Sequence, residues 1–478
     1  MSELTTHCDI MTDRGITYFG EPDASIVDIS SLGKQHVQRG IESKIKHGNK
    51  TEGLLAIVGV KGSGKTDLRK HIENAGPAYV FNLNAERYTL TIDASVKDTS
   101  GRIKTVVSML LLRGFAKQVG ADGNSAPKKA LLKVLETSTK ILENLPESVE
   151  LGFSGFGKLS LGKLLKTDAT EWVQNAIDSL ISGVVPALEN KRGYILIDDV
   201  EDVFPGIAEN PIFLEGVVRS IKDINVKTGD RLHVLIFIKH GLWKSWSENN
   251  RREYDKVRSV IGHLQWDREA LVALIARRIA TRQGIDPDSG VSVEDLWSME
   301  FDFGRDFESF THKITAYCVN GPRDMIELCN LAAIAAAGER ITWDDFAHCI
   351  GDFSDDKFFG LNEDYGDMYP GITSFVERVF RELNAFNLKG TELSEYIEAT
   401  TLADPDAEKE AFYKEKWFTE RPRQRLAVLL YEIGIVGFGV DPNITYAIEM
   451  PTISQSDLMA QKNIVVHPAF RPHLEIAR

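Results

Sequence analysis

The sequence predicts an α/β protein: a parallel sheet covered by helices on both faces, then an all-helical segment, then a smaller domain of helices and short strands. Three observations predict it. Short apolar runs at 54–58, 78–84, 194–197 and 232–238 alternate with helix-period segments, the pattern of strands joined by helical crossovers. The first run ends in a glycine-rich turn that opens directly into a helical stretch. After Trp266 the strand signal fades, and it returns only as two short runs near the C-terminus, Thr445–Glu449 and Ile464–Val466.

Residues 1–50 read as a leader, with the turn-rich segment Phe19-Gly20-Glu21-Pro22-Asp23-Ala24 ahead of a helical pattern over 32–47. The core domain spans 51–265. Its first strand is Leu54–Val58, its second Ala78–Asn84 behind the Gly76-Pro77 breaker. Residues 100–167 look like an insertion carrying helices at 106–119 and 128–145, then the alternating glycine-rich run 151–165, a hairpin or loop. Asp168 and Glu171 have the spacing of a capping box that opens a helix to about Leu188. That helix leads to the strand Tyr194–Ile197, and a helix over 212–224 leads to the strand Leu232–Ile238. Residues 266–355 form a helical lid, with helices at 268–282 and 325–337. An acidic, glycine-containing link near 351–367 separates it from residues 366–478. There, helices at 372–383, 391–400 and 424–433 precede the two short strands, the order of a winged helix.

The chemistry sits in two places. Gly59-Val60-Lys61-Gly62-Ser63-Gly64-Lys65-Thr66 has the spacing G-x-x-x-x-G-K-[ST] between a strand and a helix. Glycines at 62 and 64 let the backbone curl so that amide N–H groups, Ser63 among them, face one anion-sized hollow, with the positive end of the following helix behind them. Gly59, Lys61, Gly62, Ser63, Gly64, Lys65 and Thr66 are therefore the expected binders of a nucleotide, ATP. Lys65 would reach the β- and γ-phosphates, and the Thr66 hydroxyl would help hold Mg2+. The second place is Ile195-Leu196-Ile197-Asp198-Asp199-Val200-Glu201-Asp202, an apolar strand with carboxylates at its C-terminal end, where parallel sheets place ligands. Asp198 is the expected metal ligand. Asp199 would polarise the attacking water, with Glu201 as its rival.

Two further residues join the site as candidates. Lys239, at the end of the strand 232–238, could sense the γ-phosphate; a solvated strand end is the alternative. Arg323 in Asn320-Gly321-Pro322-Arg323-Asp324 could reach back to the phosphates from the lid; a surface capping arginine is the alternative. Arg219, Arg251 and Arg252 could serve a neighbouring subunit as a finger, and none is assigned.

Composition narrows the classes. A hydrophobic content of 43% with 26% charged residues is that of a soluble globular protein. No apolar run is long enough to span a bilayer and no signal peptide is visible, so a cytoplasmic protein with no membrane partner is expected. The four cysteines lack a C-x-x-C pair, which argues against zinc or a disulfide framework. A net charge of −14 disfavours non-specific coating of nucleic acid. Arg421, Arg423 and Arg425 could touch a nucleic-acid backbone, yet residues 370–478 carry more carboxylates than basic side chains.

Taken in order, these motifs resemble the AAA/STAND-type P-loop ATPases of bacteria, which are related to the origin-recognition ATPases. The matching residues are Phe19–Ala24, Gly59–Thr66, Ile197–Asp202, Ile236–Lys239 with Trp266-Asp267, Gly321–Asp324, Ile433–Gly437 and Val466–Phe470. The resemblance implies a P-loop NTPase sheet, a helical lid and a winged helix, ATP and Mg2+ as ligands, and a homo-oligomer. It implies DNA handling or phage defence as the setting, with a DNA or protein partner on the winged helix. Two departures stand out: Asp199 occupies a position where glutamate is common, and Lys239-His240 stands where an Asn or Thr sensor is common. Both fit slow hydrolysis. The leading expectation is a slow, Mg-dependent ATPase acting as a switch or remodelling machine. An ATP-controlled nucleic-acid-binding module and a P-loop kinase are the alternatives.

Overall fold

The computed structural model describes residues 18–24, 54–75, 79–83, 100–121, 123–143, 150–151, 159–160, 170–204, 211–319, 321–380, 387–402, 411–441, 443–447, 449–450 and 452–476, with single positions between. Most of the leader helix expected over 32–47, the capping residue Asp168 and the glycine-rich residues 152–158 lie outside the described residues. The chain divides into two compact units: residues 38–60 with 64–264, and residues 1–37 with 61–63 and 265–478.

The first unit is built on a five-stranded parallel sheet in the order β2-β5-β6-β1-β7. Its strands are β1 (Ala56–Gly59), β2 (Tyr79–Leu83), β5 (Gly193–Ile197), β6 (Leu232–Lys239) and β7 (Ile261–His263); β3 (Glu150–Leu151) and β4 (Leu159–Ser160) form a separate two-stranded ladder. The three inner strands β1, β5 and β6 are buried along nearly all of their length, as a sheet covered on both faces requires. Strand β7 was not expected. It is three residues long, Ile-Gly-His, too short to show a period, and it pairs in parallel with β1.

Helices α1 (Lys65–Asn74), α2 (Ser100–Ala121), α3 (Ala126–Glu143), α4 (Thr170–Ala187), α5 (Val200–Val203) and α6 (Pro211–Thr228) follow the strands in sequence. Apolar side chains of α2, α4 and α6 share one core with β2, β5 and β6. Helix α2, at the start of the insertion expected over 100–167, thus covers the sheet. Its seat is close, because a Cβ on Gly114 would lie 2.3 Å from the Phe81 ring of β2, and one on Gly193 of β5 would lie 2.2 Å from Phe115. The opposite face holds a smaller cluster, Leu68 and Ile72 of α1 with Ile57, Leu196, Leu235 and Phe237. After β6 come α7 (His240–Asn249) and α8 (Arg251–Tyr254).

In the second unit, α9 (Arg268–Arg282), α10 (Val293–Ser298), α11 (Phe307–Thr315), α12 (Pro322–Ala335) and α13 (Trp343–Tyr365) form the helical part. Helix α13 runs straight through the link expected near 351–367. Phe346, Ile350, Phe353, Phe358 and Leu361 are buried at three-to-five-residue intervals along it. That burial outweighs the roughly 1 kcal/mol penalty of each of Gly351 and Gly360. The leader segment docks here as well. Phe19 stacks on Phe301 at 5.4 Å, its N–H donates to Asn330 Oδ1 at 2.7 Å, and Arg278 donates to its carbonyl at 2.6 Å.

The C-terminal part holds α14 (Ile372–Phe380), β8 (Asn387–Leu388), α15 (Gly390–Leu402), α16 (Lys416–Thr419), α17 (Arg423–Glu432), β9 (Val436–Val440), β10 (Asn443–Thr445), α18 (Gln455–Met459) and β11 (Ile464–Val466). The sheet order is β10-β9-β11-β8, all antiparallel. The short strand expected at 445–449 is corrected: 443–445 pairs with 438–440, and 464–466 pairs with β9 and, at 464–465, with β8. Leu426 through Tyr431 of α17 are six consecutive buried residues, so the helix is covered on all sides. Part of that cover is local, with Leu458 of α18 fully buried and Tyr431 Oη donating to the Met450 carbonyl at 2.8 Å.

Candidate nucleotide-binding site

The loop between β1 and α1 has the backbone its sequence demands. Gly62 (φ 79°) and Gly64 (φ 84°) both occupy the left-handed region, which only glycine enters without strain. Gly64 is the N-cap of α1 and offers no side-chain hydrogen bond to the helix end, so the first-turn amides have no side-chain cap there. The Lys65 ammonium folds back over the loop and donates to the carbonyls of Gly59 (3.1 Å) and Val60 (2.9 Å). Burial drives its pKa down from the ordinary 10.5 to about 8, and the carboxylates of Glu201 and Asp198 oppose that fall. Ser63 is fully buried, and among the described residues its hydroxyl has no hydrogen-bond partner. Thr66 follows Lys65 in the first turn of α1, partly exposed.

Residues 61–63 belong to the second unit, and two side-chain contacts tie them to it. The Trp266 indole Nε1 donates to the Ser63 carbonyl at 2.7 Å, and the Lys61 ammonium pairs with Asp364 at 2.5 Å and Glu363 at 3.7 Å. Trp266 was noted in the sequence only as a motif residue; its indole N–H, which needs a partner when buried, was the available signal.

The acidic strand end lies across the sheet from the loop. In the sheet β6 lies between β1 and β5, so the strand that ends in Asp198 is not the neighbour of the strand that ends in the loop. The register sets Lys239 at the end of β6 opposite Gly59 at the end of β1, while Ile197, the residue before Asp198, pairs with Ile236. Lys239 therefore stands between the loop and the carboxylates, and its ammonium meets Glu201 Oε1 at 2.7 Å. Glu201 is largely buried, and among the described residues its second oxygen, Oε2, has no hydrogen-bond partner. Asp199 is different: it is exposed, sits at the N-cap of α5 and has left-handed backbone (φ 49°). Of the two rivals, Glu201 is the carboxylate with the larger influence on Lys65.

Asp198 is buried, and both of its oxygens are engaged. Oδ2 accepts from Arg69 Nε at 3.0 Å, and Oδ1 accepts from the Asp199 N–H at 3.2 Å. Arg69, itself buried in α1, was not singled out in the sequence. Its place four residues after Lys65, on the same helix face, was the signal that could have found it.

Arg323 lies in the second unit, in the first turn of α12, where its guanidinium is 3.7 Å from Asp23 of the leader. Beside it, Asp324 is fully buried and pairs with Lys357 of α13 at 3.0 Å; Lys357 also pairs with Glu327.

The donor set suits a magnesium nucleotide. A threonine hydroxyl, a buried aspartate and a buried carboxylate oxygen without a partner are hard oxygen ligands. Among the described residues no group of three or more His, Cys, Asp or Glu could hold a metal ion. Among the described residues no helix is long and apolar enough to cross a membrane.

No protein-family model matches the chain, and no curated protein does. Among solved structures it is similar to the ORC2 protein of Aeropyrum pernix, determined in ADPNP–ADP complexes. The two share 12% identity over 90% of this chain and 91% of that one, with a TM-score of 0.36. A likeness at that level decides neither activity nor site, so the functional reading rests on the chain's own residues.

Proposed function

We propose that this chain binds ATP and hydrolyses it slowly, as a nucleotide-controlled switch. The observation that supports this best is the convergence of Lys65, Asp198, Glu201 and Lys239 on the C-terminal end of one parallel sheet, beside a loop with left-handed glycines at 62 and 64. The amides of Gly59–Thr66 cradle the phosphates, and Lys65 leaves the Gly59 and Val60 carbonyls to bind them. Thr66 and Asp198 would hold magnesium, which neutralises phosphate charge when bound. Glu201, oriented by Lys239, polarises the attacking water; its free Oε2 is the acceptor for that proton. Asp199, expected first for this role, is the weaker candidate because it is exposed. Lys239 then acts through Glu201, and Arg323 is kept as the arginine that couples nucleotide state to the lid.

The C-terminal residues 366–478 are read as a winged helix facing protein. The helix in the recognition position, α17, is buried over 426–431 by its own chain, which leaves Gln424 and Arg425 of its first turn exposed. Two arginines near its start lie over aromatic rings, Arg421 over Tyr369 at 5.2 Å and Arg423 over Phe418 at 4.9 Å. The nucleic-acid module is therefore the second reading.

Calorimetry with ADP and ATP, with magnesium present, tests the proposal. Wild type should bind both, and Lys65→Ala should lose binding by two orders of magnitude or about that. Equal binding by the two proteins would discard the site.

A further inference from the structure

The carboxylate assigned to magnesium is held by a cation of the chain itself. Arg69 Nε donates to Asp198 Oδ2 at 3.0 Å, and both residues are buried, 8% and 2% exposed. The same guanidinium has a second place to go: its NH1 donates to Glu73 Oε2 at 3.2 Å, one helical turn further along α1. Glu73 is the more exposed partner, at 29% of its side chain. A divalent ion that reaches Asp198 must displace a positive charge or sit beside one, and like charges repel strongly where water is scarce.

We propose that Arg69 is a positioning residue that gates magnesium: it occupies Asp198 in the nucleotide-free chain and yields to the ion by falling back on Glu73. This rests on the proposed nucleotide site. The arrangement raises the magnesium concentration needed for tight nucleotide binding, because the ion competes with the guanidinium for one oxygen. It also keeps Asp198 satisfied in the absence of a nucleotide, where a buried unpaired carboxylate would be costly.

The proposal makes two variants move in opposite directions. Arg69→Gln removes the competing charge, so the magnesium concentration for half-maximal gain in ADP affinity should fall on the order of tenfold. Glu73→Gln removes the fallback partner, strengthens the Arg69 hold on Asp198 and should raise that concentration. Calorimetric titrations of ADP across a magnesium series read both, without reference to turnover. Thermal unfolding gives a second readout: Arg69→Gln should melt lower than wild type without ligand and recover most of the loss with ADP and magnesium. Arg69→Lys, which keeps a charge, should behave like wild type and guards against a misfolded glutamine variant. An unchanged or equally shifted magnesium requirement in the two glutamine variants overturns the gate. Absence of ADP binding by wild type with and without magnesium overturns the nucleotide site itself, and is told apart by that control.

Discussion

Raising the pH should weaken nucleotide binding through one residue, Lys65. Its ammonium is crowded by burial, and its pKa falls to about 8 against the ordinary 10.5. That gap corresponds to roughly 3 kcal/mol by which the nucleotide-free fold disfavours the charged form. The sign follows from linkage. The folded value lies below the unfolded one, so the neutral lysine is the better folded species. The cost is carried in full below about pH 8 and disappears as pH rises toward 10.5, so this residue makes the empty chain more stable across that window. Phosphates reverse the preference, because they bind the ammonium and not the amine. Above pH 8 binding must therefore take up a proton, and the apparent dissociation constant should rise about tenfold per pH unit, reaching roughly tenfold weaker at pH 9 than at pH 7. The nucleotide phosphates are fully ionised over the upper part of that range and add no titration of their own. Calorimetry at pH 7, 8, 9 and 9.5, in two buffers of different ionisation enthalpy, measures both the affinity and the proton uptake. Lys65→Arg, charged throughout, should remove the uptake whatever its affinity. A flat affinity profile with no proton uptake in wild type would refute the reasoning, since it would mean either that the empty chain already holds Lys65 charged over this range or that its ammonium does not contact phosphate.

The two carboxylates after β5 separate by mutation: Glu201→Gln should retain ATP and slow ADP formation on the order of 100-fold, while Asp199→Asn changes it by less than about threefold. The reverse ranking in a steady-state phosphate-release assay would restore Asp199 as the base. Trp266→Phe removes the indole N–H that meets the Ser63 carbonyl and should cost about 1 kcal/mol in urea unfolding, with a matching loss of ADP affinity. Unchanged affinity would mean that the loop needs no such tether. Lys357→Met leaves Asp324 buried without its ammonium partner and should destabilise the chain by about 3–5 kcal/mol. A thermal midpoint within a degree of wild type would count against that pair.

Much of the site was legible because its parts are local. The spacing from Gly59 to Thr66 carries its own geometry, since only glycine accepts the left-handed backbone found at 62 and 64. The apolar run ending in Asp198 announces a buried strand with ligands at its tip. The link expected near 351–367 failed for the opposite reason. Acidic residues and glycines looked like a linker, but Phe346, Phe353 and Phe358 bury against neighbours that are distant in sequence, and packing outweighed propensity.

By itself the sequence determined the parts on which the nucleotide proposal rests: the glycine loop, the lysine, the threonine and the acidic strand end follow from residue types at short, fixed intervals. Only the tertiary structure decided that Glu201 pairs with Lys239, that β6 and Lys239 stand between loop and acid, and that Arg69 holds Asp198. Strand order and salt-bridge partners join residues more than a hundred positions apart, and backbone periodicity holds no record of which distant side chains will meet when the sheet closes.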